Sequence, residues 1–284
     1  MVRTGGPDEG RMPYLLAAHV NDAGYMPSLL YALGPTLRTP GGEAEGETWG
    51  VGYYADRRPL IIKKPAEIMA DRTVFGLAPK VLSRTLVASA QRSAVRDQAP
   101  PYRFRRWLLT YTGDVSPLER LQGLIVERLP SFLRTELGNG TGGQLLFAMV
   151  LAELYRAGLL ENPVEDFNAT HDAVRRAADG IRGLSSEAEN GPVQAGFVLT
   201  PGKGMHAASI GTSLHWKIQA GLERLPEGPP DPSLNDFHEV AAALKRFKAV
   251  IVARHIERGA SDWSPLSDAS LRINDELTAD IVPQ

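Results

Sequence analysis

"TWGVGYYADRRPLIIKK", residues 48–64, decides how this chain is to be read. Two runs rich in aromatic and branched residues, 48–56 and 58–64, meet at Ala55-Asp56-Arg57, the composition of two strands joined as a hairpin. Upstream, "RMPYLLAAH" (11–19) sets a Met-Pro dipeptide and Tyr14 directly before a buried strand, Leu15 to Ala18. Downstream, "TLVASAQR" (85–92) and "RWLLTYTGD" (106–114) have the same flavour, so four strands from residue 48 onward precede the first convincing helix.

Helix signals then take over. Ser116-Pro117-Leu118-Glu119 offers a capping box with proline at the first helical position, followed by Leu118, Leu121, Leu124 and Ile125 at helical spacing. A second helix follows "GNGTGG", with Leu145, Leu146, Met149, Val150 and Leu154 on one face. A third runs over about 163–184, with Phe167, Val174, Ala178 and Ile181 inward. The period then returns to two over 193–219, where Pro201-Gly202-Lys203-Gly204 makes a tight hairpin, and again in 248–257 and 270–282. "RLPEGPPDPS" (224–233) reads as a proline-rich surface loop. Strands, helices, then strands predict an α+β layered domain rather than a parallel doubly wound sheet.

The chain has 284 residues and no cysteine, which excludes disulfides, thiolate nucleophiles and sulfur-ligated metals together. Its net charge of −2, with both signs mixed, provides no general attraction to nucleic acid or acidic lipid. No apolar signal region and no window of spanning length occurs, so a cytoplasmic protein without membrane association is expected. Residues 1–11 lack apolar periodicity and read as a disordered tail, and 12–284 read as one domain.

Gly138, Gly140 and Gly143 fit the dinucleotide pattern G-x-G-x-x-G, but "LPSFLRTEL" ahead of them is the tail of a helix. Without a strand before and a βαβ unit around it, the pattern reads as a helix start, and no cofactor is expected. "YRFRRW" (102–107) interleaves arginines with aromatics, the pattern of a base-stacking strand in nucleic-acid binding. Plain alternation also explains it, with Tyr102, Phe104 and Arg106 on one side and Arg103, Arg105 and Trp107 on the other. The six histidines are scattered singly, and no metal site is expected.

Taken in order, these pieces resemble a class II glutamine amidotransferase domain. In the small stand-alone members the chain begins Met-Cys-Arg-Leu-Leu. Then follow a Trp-Gly-x-Gly-x-Tyr strand, a His-x-Arg strand, an Asn-x-His-Pro-Phe loop, a His-Asn-Gly strand and a Thr-Asp-Ser-Glu helix start. Here "MPYLL" (12–16), "WGVGYY" (49–54), "AQR" (90–92), "QAPPY" (98–102), "YTG" (111–113) and "TGGQ" (141–144) stand in those places. The resemblance spans about 12–283 and implies a four-layer αββα sandwich of two antiparallel sheets, the N-terminal-nucleophile hydrolase architecture.

The departures fall on the chemistry. Pro13 stands where the family has its cysteine, and the residues before it place the nitrogen that would serve as base within a peptide bond. Thr112 replaces the oxyanion-hole asparagine, although Gly113 keeps the backbone donor. Gly142 replaces the aspartate that would hold the substrate's α-amine. Only Arg92, at the family's substrate-carboxylate position, remains. The resemblance therefore implies a pseudoenzyme with vestigial positions Pro13, Thr112 and Gly113. Ligand contacts, if retained, fall to Arg92, Trp49, Gly113 and Gly142.

Relatives work beside synthases that consume ammonia. A protein partner, such as a synthase or regulatory complex, or a small ligand in the emptied pocket is accordingly expected. Two other readings stay open: an active amidohydrolase whose processing at Met12 frees the Pro13 amine, and nucleic-acid binding through 102–107.

Overall fold

The computed structural model describes residues 14–33, 47–65, 81–92, 98–137, 140–161, 166–186, 191–222, 245–254, 256 and 261–283. The chain opens with β1 (Tyr14–Val20), α1 (Met26–Leu33), β2 (Glu47–Ala55), β3 (Arg58–Pro65), β4 (Thr85–Arg92), β5 (Tyr102–Phe104) and β6 (Trp107–Asp114). Helices α2 (Ser116–Arg120), α3 (Gln122–Arg128), α4 (Ser131–Leu137), α5 (Gly142–Arg156) and α6 (Phe167–Ser186) follow. Strands β7 (Gln194–Thr200), β8 (Met205–Ile210), β9 (Ser213–Ala220), β10 (Lys248–Ala253), β11 (Ser264–Ser267), β12 (Ala269–Ile273) and β13 (Ala279–Pro283) complete it.

Two antiparallel sheets result, ordered β11-β9-β10-β1-β4-β2-β3 and β13-β12-β8-β7-β6-β5. Strand alternation sorts the apolar side chains into three clusters. Leu15, Val87, Leu108, Val198 and Val252 fill the space between the sheets. Leu16, Val51 and Ala88 point the other way, onto Leu29 and Leu30 of α1. Leu109 and Phe197 face Leu146 of α5 and Val174 of α6. The layers are therefore helix, sheet, sheet, helices, the four-layer α+β sandwich that the resemblance implies. Because both faces of β1 are covered, all seven of its residues are buried.

Several local readings hold for the expected reasons. Asp56 and Arg57 turn β2 into β3 with φ of 47° and 66°, the left-handed pair that a two-residue hairpin needs. The helix expected after "GNGTGG" begins inside that stretch, at Gly142, where Thr141 and Gln144 form a reciprocal capping box.

Others need correction. A helix, α1, stands between β1 and β2, where none was read. The helix expected from Ser116 through Ile125 breaks at Leu121 into α2 and α3, and Ser116 does not cap it: Val115 is the N-cap, with no side-chain hydrogen bond. The stretch 102–107 is a hairpin rather than one alternating strand. Arg105 adopts φ 52° at its turn, so Tyr102, Phe104 and Trp107 all point inward. Residues 270–282 hold a β12–β13 hairpin instead of a single strand. The tail 1–11, Pro13, Gly138 and the loop 224–233 lie outside the described residues.

Candidate functional site

Four of the six motif places meet through direct contacts. Gly50 of "WGVGYY" sits against the "QAPPY" loop so closely that a Cβ there would come 2.4 Å from the Pro100 carbonyl oxygen. Gly52 is also closely packed: a Cβ there would lie 3.1 Å from the Leu108 and Val87 side chains. The Ser89 hydroxyl, on β4 just before "AQR", donates to the Pro100 carbonyl at 2.9 Å. Gly143 of "TGGQ" faces Tyr102 and Tyr111, and a Cβ there would lie 2.5 Å from the Tyr102 hydroxyl and from the Tyr111 ring.

Register sets all of this at one end of the sandwich. Tyr14, at the start of β1, pairs with Ala90 near the end of β4, and Trp49 at the start of β2 pairs with the same Ala90. The Thr110 hydroxyl of β6 reaches the Ala88 carbonyl of β4 at 3.4 Å, so β6 ends over the same region. Gly113, the penultimate residue of β6, therefore lies near the end of β4 and the start of β1. Its φ is +103°, and a Cβ would lie 2.0 Å from the Gln194 carbonyl oxygen of the neighbouring β7, so no other residue fits this strand end.

The head of α5 closes the same end. A Cβ on Gly142 would lie 2.3 Å from the Val115 carbonyl oxygen, while the Gly142 amide donates to Glu119 Oε1 at 2.8 Å. A helix N-terminus is a natural anion site, and here the chain's own carboxylate takes that role. Beside it the Tyr102 and Tyr111 rings stack with centroids 6.2 Å apart, and Tyr102 also stacks on Phe147 of α5 at 6.1 Å. The Tyr102 hydroxyl donates to the Gln98 carbonyl at 2.8 Å. Burial pushes both phenols above their ordinary range; for Tyr111 a hydrogen bond with the Gln91 side chain partly offsets this. Both rings are thus neutral, apolar filling between β6 and α5.

Solved structures share this fold. The glutamine aminotransferase class-II domain protein from Silicibacter pomeroyi matches with TM-score 0.55 at 18% identity, covering 95% of this chain and 98% of that one. The architecture is that of class II glutamine amidotransferases. A predicted glutamine amidotransferase from Pseudomonas aeruginosa matches with TM-score 0.53 at 13% identity, covering 96% of this chain and all of that one. The glutamine phosphoribosylpyrophosphate amidotransferase from B. subtilis, solved with ADP and GMP, matches with TM-score 0.52 at 11% identity. This chain corresponds to 49% of it. No family model and no curated protein matches the sequence.

Within the amidotransferase fold the expected site residues are placed unequally. Pro13 precedes the first described residue of β1. Arg92 is the last residue of β4, its backbone opposite Glu47 of β2. Thr112 is fully buried in β6, alternating with Tyr111 and so on the same side as Thr110, toward the other sheet. Gly113 and Gly142 lie at the closed end just described. Trp49 shares that end but packs on the far face of its sheet, in the cluster with Tyr14 and Leu16 beneath α1. Four contributors were missed by reading the sequence: Glu119, Tyr102, Tyr111 and Gln91. Glu119 carries a signal, but the local pattern points to its own helix start rather than to Gly142 of α5, 23 residues on.

The arginine and aromatic run 102–107 offers no stacking platform in this fold. Trp107 is fully buried, its indole N–H donating to the Leu160 carbonyl at 3.0 Å, and Tyr102 and Phe104 are buried as well. Base stacking needs exposed ring faces. Arg105 is paired with Glu161, and Arg103 donates to the Pro59 carbonyl at 3.3 Å. Among the described residues no helix is long and apolar enough to cross a membrane.

Proposed function

We propose that this chain is a catalytically inactive protein of amidotransferase fold that acts by binding, with a partner protein as its target. The observation that carries the reading is the closure of Gly142 onto Val115. At the position that the resemblance assigns to the substrate's ammonium anchor, a side chain of any size would meet a carbonyl oxygen. The sequence adds to this by containing no thiol at all, so the family's covalent step has no nucleophile. Losing several members of a catalytic unit removes nearly all of its rate enhancement.

A partner protein is favoured over a small ligand at the old site, because the features that would hold a ligand there are already engaged. The α5 amide is taken by Glu119, and the space beside Gly143 is lined by two stacked tyrosines. The relatives that work beside ammonia-consuming synthases make an assembly partner a natural retained role. The test is incubation of the purified protein with glutamine across neutral and alkaline pH, with ammonia assayed, alongside identification of what co-purifies from the native source. The expected result is no ammonia above the buffer blank together with a stoichiometric protein partner. Steady ammonia release that scales with protein concentration would overturn the proposal.

A further inference from the structure

Away from the closed site, α3, α5 and α6 enclose a surface cleft of about 120 Å³. Its floor is apolar and buried, made by Ile125, Leu129, Ala152 and Ala177. Its rim is charged. Arg156 and Arg176 both pair with the single carboxylate of Glu153, the latter through Nε at 3.3 Å, and Arg156 also donates through Nη2 to the Arg128 carbonyl at 2.9 Å. Arg128 also lines the cleft, and no carboxylate pairs with its side chain among the described residues. Three arginines against one glutamate leave a local surplus of two positive charges, on a chain whose net charge is −2.

Gly180 is the second observation. It lines the cleft from the middle of α6, where glycine is the poorest ordinary helix former. Its backbone is not in the left-handed region, and a Cβ built on it would have nothing within 4 Å. No neighbour in the fold requires a glycine there. What its missing side chain provides is open space in the cleft.

We propose that this cleft docks an acidic segment of a partner protein, with one apolar side chain seated on the floor and flanking carboxylates on the arginine rim. The volume suits one medium-sized side chain, not an extended ligand. Two arginines with roughly half their side-chain surface exposed keep donors free for a second carboxylate while sharing Glu153. The inference rests on the binding role proposed above and names the chemistry of its partner.

The test uses fluorescence anisotropy with the full chain and a labelled hexapeptide of aspartates and glutamates around one leucine. Wild-type protein should bind it saturably, and more weakly as salt rises. Gly180→Leu should weaken binding about ten-fold or more by filling the cleft, without lowering the thermal midpoint, because leucine favours the helix. Arg176→Glu should weaken it at least as much, and a peptide with lysines in place of the acids should not bind. No saturable binding below about 1 mM, or equal binding by Gly180→Leu, overturns the docking site. Displacement of the peptide by hexanoate at equal concentration would assign the cleft to small carboxylates and overturn it too. If a co-purified partner still binds Gly180→Leu, the docking site fails while the binding role stands; if no partner is found and ammonia is released, the binding role itself fails.

Discussion

Glu119 of α2 and Gly142 at the head of α5 are joined by a 2.8 Å hydrogen bond in which the glycine amide is the donor. The bond ties two helices across 23 residues of sequence and holds the helix terminus against the end of β6. Replacing Glu119 by alanine leaves a partly buried amide without a partner, which costs about 1–3 kcal/mol. A lower urea midpoint is the expected readout. Glu119→Gln, whose amide oxygen still accepts, should lose less than half as much.

Gly142→Asp would restore the residue type that the family uses to hold the substrate's ammonium. In this fold it should not restore glutamine binding, because its Cβ would meet the Val115 carbonyl at 2.3 Å. The expected outcome is a destabilised protein, by about 1–3 kcal/mol, that gives no heat with glutamine in titration calorimetry. Glutamine binding by this variant would show that the closure at Val115 yields easily.

Two glycines separate conformational strain from steric clash. Gly113 and Gly158 both have positive φ, +103° and +72°, but only Gly113 has atoms close to where a Cβ would go. Gly158→Ala should cost about 1 kcal/mol from the left-handed backbone alone. Gly113→Ala should cost about 3 kcal/mol or more, since the Gln194 carbonyl must also move. Parallel thermal melts of the two variants check this difference.

Acid should destabilise the fold before the carboxylates titrate. His206 is fully buried beneath α6 beside Phe167 and His171, and burial holds it well below its ordinary value of 6.5; burial, with a contribution from Arg272, lowers His171 to about 4. Between pH 6.5 and 4 the unfolded chain therefore binds protons that the folded chain does not. Stability rises with pH through that window and is level above it. Thermal midpoints at pH 5 should lie clearly below those at pH 7.5. His206→Phe should reduce the difference, and identical midpoints for the native chain at the two pH values would refute the assignment.

Retention on heparin or immobilised single-stranded DNA should be weak and vanish at modest salt. The rings that would stack on bases are interior, and Arg105 is ion-paired. Elution above about 0.3 M salt would count against this reading of residues 102–107.

How much was legible in the sequence follows from the range of each interaction. The hairpin at Asp56-Arg57, the start of α5 at Thr141 and the inward face of α6 are set by residues within a few positions of one another. Turn chemistry and periodicity reveal the hairpin and the helix face, and the capping rule that marks Thr141 and Gln144 is equally local. The lack of any sulfur nucleophile is likewise a property of the sequence alone. Tertiary structure decided the rest. Ser116-x-x-Glu119 satisfies a local rule, yet Glu119 finds a better-placed donor on another helix. Tyr102, Phe104 and Trp107 share the interior because a positive φ at Arg105 folds their strand back on itself. That Gly142 closes on Val115 and Trp49 packs beneath α1 depends on how sheets and helices stack, and no short stretch of chain carries that information.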